Sequence, residues 1–247
     1  MSESRNILIT GASSGIGNAI AHRLNANGVK LYLSARNLEK LAKSFPHGNN
    51  ESLNVKLLGA DITKEGDLSG IVKAIKEPLD GLVLSAGELK YMPAAFLNRE
   101  NLMEMMNINF LAPVLLVKEL IKAKKLNKNS SIIFVSSVSA KVGVAATLAY
   151  ASSKAAVEAA VRVLATELAP KKIKVNAVCP GLVNTPMLEK ASIENGIDIS
   201  EANNSNYPLG IGSAEDVASL MSFLISKENN WITGQTVVID GGYLLNK

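Results

Sequence analysis

An apolar run, Asn6-Ile7-Leu8-Ile9-Thr10, passes without a break into Gly11-Ala12-Ser13-Ser14-Gly15-Ile16-Gly17 and then into a helical pattern. A second apolar run, Val29-Lys30-Leu31-Tyr32-Leu33, follows at once. A strand, a helix and another strand in this order and length form the crossover unit that a parallel sheet requires. The glycines add a second constraint. Placed directly after the strand, they permit a tight turn and bring backbone N–H groups close to a pyrophosphate, while the N-terminus of the following helix favours the negative charge. The spacing is Gly-x-x-x-Gly-x-Gly, and in its strand–turn–helix setting it predicts a nucleotide site.

The alternation continues with apolar runs at Val55–Gly59, Gly81–Leu84, Ser131–Val135, Lys174–Val178 and Thr236–Ile239, with helical patterns between most of them. Strands interleaved with helices predict an α/β fold, a doubly wound parallel sheet with helices on both faces. The chain of 247 residues suits a single domain, 1–247, and its 47% hydrophobic and 19% charged residues argue against disorder. Met187 to Tyr207 is polar and rich in Asn and Ser, which predicts a substrate lid over 187–207.

Several classes of function are set aside. The longest apolar runs, such as Leu111–Val117, are too short to cross a bilayer, so no membrane partner is expected. Met1–Arg5 lacks the basic-then-apolar profile of a signal peptide, and a cytoplasmic protein is the expectation. Cys179 is the only cysteine, and His22 and His47 have no ligand-like neighbours in sequence, so no metal is expected. A net charge of +4 is too modest to indicate nucleic acid.

Two stretches carry chemistry. Tyr150 and Lys154 are four residues apart on one predicted helix and so share a face. A cation at ~4 Å with an effective dielectric of ~20 is worth roughly 4 kcal/mol, or about three pKa units. Tyr150 is therefore expected to titrate near working pH, where general acid/base catalysis is most efficient. At the end of the second strand, Leu33-Ser34-Ala35-Arg36-Asn37 offers an arginine where NAD-specific sites usually place an acid. The planar fork of Arg36 suits a ribose 2′-phosphate, which predicts preference for NADP(H), with NAD(H) as the other candidate.

With these residues in place, the sequence resembles the short-chain dehydrogenase/reductase family over nearly its whole length. Thr10 to Gly17, with Gly11, Ser13, Ser14, Gly15, Ile16 and Gly17, looks like that family's cofactor loop. Asp61 and Ile62 stand where the family contacts the adenine. Asn109 matches the helix asparagine whose backbone is thought to hold a water of the proton relay. Ser137 matches the serine that polarises the substrate carbonyl. Pro180, Gly181, Val183 and Thr185 resemble the segment that contacts the nicotinamide amide, and Trp231–Gln235 with Asp240-Gly241-Gly242 the C-terminal strand and turn. The resemblance implies a Rossmann-like single domain and hydride transfer between a nicotinamide and a carbonyl or hydroxyl substrate. Tyr150 would be the proton donor, with Ser137, Lys154 and Asn109 supporting it. Leu84-Ser85-Ala86-Gly87 departs from the usual Asn-Asn-Ala-Gly, so the amide ties between strands are expected to be lost there; Ser85, Ala86 and Gly87 remain cofactor-site residues.

Within the family the pattern looks most like 3-oxoacyl-[acyl-carrier-protein] reductases, which makes an acidic acyl carrier protein a candidate partner. Lys122, Lys124, Lys125 and Lys128, and Lys171, Lys172 and Lys174, are the basic clusters available to dock it. The alternatives are reduction of a free ketone, such as a sugar, steroid or secondary metabolite, and a nucleotide sensor without catalysis. The Met- and Leu-rich helix around Asn101–Leu120 and the alanines following Lys154 predict a homo-oligomer, dimer or tetramer.

Overall fold

The computed structural model describes residues 5–26, 29–48, 54–195 and 206–246. Seven parallel strands form one sheet: β1 (Asn6–Thr10), β2 (Lys30–Ala35), β3 (Val55–Gly59), β4 (Leu79–Leu84), β5 (Leu126–Val135), β6 (Lys174–Pro180) and, after a small two-stranded sheet, β9 (Thr236–Ile239). Their spatial order is β3-β2-β1-β4-β5-β6-β9. The chain winds outward from β1 in one direction, then returns to β4 and winds the other way. A crevice opens where the order reverses, between the carboxyl ends of β1 and β4.

The period-2 alternation of the strands divides the core in two. Ile7 and Ile9 of β1 face one layer, where they pack with α1 (Gly15–Asn25), α2 (Leu38–Ser44) and, late in the chain, α8 (Ala214–Ile225). Leu8 faces the other layer, built on α3 (Glu65–Ala74), α5 (Ala112–Lys122) and α6 (Leu148–Leu168). The central strands are buried on both faces and read as continuous apolar runs, as parallel sheets require.

The helix expected around Asn101–Leu120 is continuous in space but not regular. α4 (Arg99–Met106) passes into a π-helical turn, Asn107–Leu111, before α5 begins. Pro113, in the first turn of α5, has no N–H to offer the Asn109 carbonyl, and the helix widens there.

Two departures from the sequence reading concern the loops. β7 (Val183–Asn184) and β8 (Gly212–Ser213) pair in parallel as a separate short sheet, which ties both ends of the intervening arm to one place. α7 (Pro186–Asn195) occupies the first part of the expected lid at 187–207; residues 196–205 lie outside the described residues. At Leu84-Ser85 the expected loss of strand ties is made good differently. Leu84 is buried in the core, and the Thr10 hydroxyl accepts the Ala86 N–H at 3.3 Å, tying the end of β1 to the end of β4.

The two lysine clusters fall at the wrong end of the sheet for docking at the site. Lys122, Lys124 and Lys125 precede β5, Lys128 is near its start, and Lys171, Lys172 and Lys174 precede or open β6. The Ser137 end of β5 is about 20 Å further along, six residues beyond Ser131, which pairs with Lys174. Lys125 Nζ donates to the Ile75 carbonyl at 2.6 Å and Lys174 Nζ to the Asn129 carbonyl at 3.0 Å, so these two cap strand and loop ends at the amino edge.

Candidate active site

A cavity of about 560 Å³ lies over the carboxyl ends of the strands. Its floor is the glycine turn. Gly11 has φ +70°, and a Cβ there would stand 2.7 Å from the Ala86 nitrogen, so only glycine allows the turn to lie against the end of β4. Gly15, also at positive φ, meets Thr185 across the cavity. Gly17 is not in the wall; a Cβ on it would lie 2.4 Å from the Gly11 carbonyl oxygen. Its part is close packing of α1 on the turn. A backbone cradle at a helix N-terminus, kept open by glycines that tolerate no Cβ, fits the pyrophosphate of a dinucleotide.

At one end Arg36, Asn37, Lys40, Asp61 and Ile62 line the wall. Arg36 forms an ion pair with Glu88 Oε1 at 3.1 Å, with most of its guanidinium in solvent. Asp61 sits in its own turn, accepting from Thr63 N at 3.1 Å and Thr63 Oγ1 at 2.7 Å. Burial pulls its pKa upward, but the Thr63 hydrogen bonds and the charges of Lys64 and Arg36 hold it below the usual carboxylate range. Lys40 was not foreseen. It shares this end because Asn37 caps α2, accepting the Lys40 N–H at 2.8 Å and turning the helix start toward Arg36.

At the other end α6 brings Tyr150 and Lys154 to the wall, and the turn after β5 brings Ser137. Ser137 caps a short 3-10 helix (Val138–Ala140), its Oγ accepting the Ser139 N–H at 3.2 Å, and it lines the same end of the cavity as the Tyr150 phenol, whose pKa it acts to lower. Lys154 is 6% exposed; its Nζ donates to the Val135 carbonyl at 2.9 Å and lies 5.7 Å from the centre of the Tyr150 ring.

The electrostatics correct the expectation for Tyr150. Withdrawal from water pushes its phenol up to about 12, outweighing the lowering by Ser137. Lys154, its Nζ held by the Val135 carbonyl, does not reverse this. Burial instead lowers Lys154 to about 8. Burial thus brings the lysine toward neutral pH and keeps the tyrosine protonated.

Asn109 lies behind the wall in the π turn, 2% exposed. Its amide clamps the loop after β4, accepting from Glu88 N at 3.0 Å and donating to Glu88 O at 3.0 Å, and it also reaches Ser153 Oγ at 3.1 Å. Ser153 Oγ in turn donates to the Tyr150 carbonyl at 2.7 Å. A Cβ on Gly87 would lie 2.7 Å from Asn109 Oδ1. The asparagine thus locks the cofactor-side loop to the helix that carries Tyr150.

The cavity gathers Gly11, Ser13, Ser14, Gly15, Ile16, Arg36, Asp61, Ile62, Ser85, Ala86, Gly87, Ser137, Tyr150, Lys154, Pro180, Gly181, Val183 and Thr185; Gly17 and Asn109 support it from behind. Sequence reasoning missed the aromatic wall. Of five tyrosines in the chain, four line this cavity: Tyr91, Tyr150, Tyr207 and Tyr243. Tyr207 and Tyr243 stack with ring centres 4.7 Å apart, and Tyr207 Oη accepts the Leu182 N–H at 3.2 Å. They come from segments far apart in sequence, so no local pattern marks them.

A doubly wound sheet with a glycine cradle at its switch point and a serine, tyrosine and lysine at one end of the adjoining cavity defines a nucleotide-dependent oxidoreductase. Comparison with known proteins agrees. The family profile described as enoyl-(acyl carrier protein) reductase matches residues 11–244. A 3-oxoacyl-[acyl-carrier-protein] reductase of Rickettsia bellii is 36% identical over 239 residues, covering 96% of each chain. A solved short-chain dehydrogenase/reductase of the glucose/ribitol dehydrogenase type from Brucella melitensis superposes with a TM-score of 0.88 at 30% identity, over 97% of this chain and 96% of that one. An actinorhodin polyketide ketoreductase solved with NADPH gives 0.88 at 29% identity, over 98% of each chain. The chain belongs to the short-chain dehydrogenase/reductase family and is an oxidoreductase of the NAD(P)-dependent kind. No described helix is long and apolar enough to cross a membrane.

Proposed function

We propose that the protein is an NADP(H)-dependent carbonyl reductase, acting on a 3-oxoacyl group of the kind carried by acyl carrier protein. The observation that carries the reading is the convergence of Ser137 and Tyr150, with Lys154 one helical turn away, at the end of a cavity that begins at the glycine cradle. Gly11, Ser13, Ser14 and Gly15 would hold the pyrophosphate, Arg36 and Lys40 the ribose phosphate, and Thr185 with Pro180 and Gly181 the nicotinamide end. The cofactor, when bound, supplies the hydride.

The chain's own groups do the rest. Ser137 donates to the carbonyl oxygen as negative charge develops on it. Tyr150, kept neutral by its burial, is in the form that reduction needs and gives its proton to that oxygen. Lys154, one turn along α6, would return the proton, and Asn109 of the widened turn lies with it beside Gly87. The relative from Rickettsia supports the acyl substrate; the lysine clusters no longer do, since they lie at the opposite edge. A free, ring-bearing ketone is the second reading, favoured by the wall of Tyr91, Tyr207 and Tyr243, whose flat faces suit a planar group.

The test is NADPH oxidation with acetoacetyl groups on acyl carrier protein, alongside free ketones and matched NADH controls. Turnover of the carrier-bound substrate supports the first reading, and turnover confined to free ketones moves the assignment to the second. NADH used as well as NADPH removes the cofactor preference. We also propose self-association through α4, α5 and α6, where Met103, Leu115, Leu148 and Val163 are exposed at 39–57%; a monomer by light scattering at micromolar concentration removes it.

A further inference from the structure

The turn that carries Ser137 is held at both ends by one carboxylate. Glu158 lies on α6, eight residues beyond Tyr150 and four beyond Lys154, so the three side chains project within about 80° of one another. It is 9% exposed. Its Oε1 accepts the hydroxyl of Ser136 at 2.9 Å, and its Oε2 forms an ion pair with Lys141 Nζ at 3.2 Å. Ser136 immediately precedes Ser137, and Lys141 closes the 3-10 turn that Ser137 caps. The charge of the same carboxylate also helps raise the thiol of Cys179, next to Pro180 on β6. One side chain therefore joins the helix of Tyr150 to both ends of the Ser137 turn.

We propose that Glu158 is a positioning residue for carbonyl reduction: by gripping Ser136 and Lys141 on either side of Ser137, it fixes the Ser137 hydroxyl against the Tyr150 phenol. The inference rests on the reading that Ser137 and Tyr150 act on the carbonyl. The argument is geometric. The segment from Ser136 to Lys141 is short. Its backbone ties, Ser136 N–H to the Val178 carbonyl at 2.7 Å and Ala140 N–H to the Ser137 carbonyl at 2.9 Å, and the Ser139 N–H bond to Ser137 Oγ at 3.2 Å do not reach α6. A further bond, Ser136 Oγ to the Lys154 carbonyl at 3.5 Å, does reach α6, but it is long and holds one end of the turn alone. Glu158 holds both ends from α6, where its own backbone lies. Each carboxylate oxygen serves one end of the turn, an arrangement that a neutral or shorter side chain cannot reproduce.

The experiment is a double-mutant cycle on the full-length enzyme, with Glu158→Ala, Ser137→Ala and the pair, reading kcat and KM for a small ketone and NADPH affinity by fluorescence. Glu158→Ala is expected to lower kcat by about 10- to 100-fold while NADPH affinity stays within about 2-fold, the scale of a misplaced catalytic group. In the Ser137→Ala background the same change should have little further effect, because the group it positions is gone. Glu158→Gln retains an acceptor for Ser136 and loses the ion pair, and should fall between; it carries the cycle if the alanine variant does not fold. Unchanged kcat in both Glu158 variants, or effects that multiply in the double variant, overturns the proposal. If Ser137→Ala is itself as active as the parent, the carbonyl-reduction reading fails, which is a different result from an active Glu158→Ala beside an inactive Ser137→Ala.

Discussion

The two edges of the same sheet are built on opposite rules. At the amino edge, Lys125 and Lys174 cap carbonyls within reach, and Asn6 donates to Glu77 and to the Pro78 carbonyl; even Lys174, only 8% exposed, is answered by the fold's own backbone. At the carboxyl edge, glycines hold the backbone at positive φ, a lysine is buried at 6% exposure, and a phenol is kept from water. Both edges terminate the same parallel strands, so the strands do not explain the contrast. What differs is that the carboxyl edge keeps groups in states that folding alone would not select. Charged residues at the amino edge find their partners in the fold; at the carboxyl edge Arg36, Lys40 and Lys154 line an open cavity.

The largest effect should come from the carboxyl edge. Tyr150→Phe removes the only proton that the phenol can give and should lower kcat by about 10³-fold, within the range for general acid catalysis, while NADPH binds within about 2-fold of the parent. Stopped-flow turnover with a fluorescence binding titration checks both, and substantial residual activity would move the proton donor elsewhere. Next is Arg36→Ala, which takes away the guanidinium suited to a 2′-phosphate and should reduce the NADPH/NADH ratio of kcat/KM by about 10- to 100-fold, the worth of a charge-assisted contact. An unchanged ratio would leave Arg36 as the partner of Glu88 and nothing more.

Lys154 gives a smaller effect of a different kind. Burial lowers it from 10.5 to about 8, so between those values the unfolded chain binds the extra proton and stability rises with pH. Below about 8 both states are protonated and the folded protein carries the full penalty, roughly 3 kcal/mol before its hydrogen bond to Val135 is counted. Lys154→Met should therefore abolish turnover and yet raise Tm at pH 7 by about 2–4 °C. A lower Tm, measured by calorimetry, would show that the Val135 contact outweighs the buried charge. Smallest of all is the double change Lys128→Glu, Lys172→Glu at the amino edge, which should leave kcat/KM within about 2-fold for carrier-bound and free substrates alike. A selective rise in KM for the carrier-bound substrate would return docking to that edge and break the contrast.

The sheet strands were legible because burial on both faces leaves short runs of Val, Ile and Leu bounded by turns. The first half of β5, Leu126 to Ser130, escaped because Asn127-Lys128-Asn129 is polar at the sheet's exposed end; Leu79-Asp80 of β4 and the two-residue strands β7 and β8 escaped with it. Gly11, Ser137, Tyr150 and Lys154 were legible because each sits at a fixed offset from a strand or helix end. The rest depends on distance in space. A π turn follows from one proline's missing N–H, yet Pro113 in the first turn of a helix is ordinary in sequence. Tyr91, Tyr207 and Tyr243 meet only when three loops converge. Lys122 to Lys128 looked close to Ser137 because the sequence between is short, but an extended strand carries the chain away at about 3.3 Å per residue. The pKa of Tyr150 was misjudged for a similar reason: spacing gives the face that Lys154 shares, not the carbonyl that holds it.

The solitary cysteine carries a last consequence. Cys179 has no exposed surface, and burial is the chief force pushing its thiol up to about 12, so a disulfide reagent cannot reach or activate it while β6 stays in the sheet. Its rate of labelling is then a clock for the opening of the strand that ends at Pro180 and Gly181. With one sulfhydryl per chain, that clock has a single hand, and it could time how far a bound dinucleotide slows the breathing of its own site.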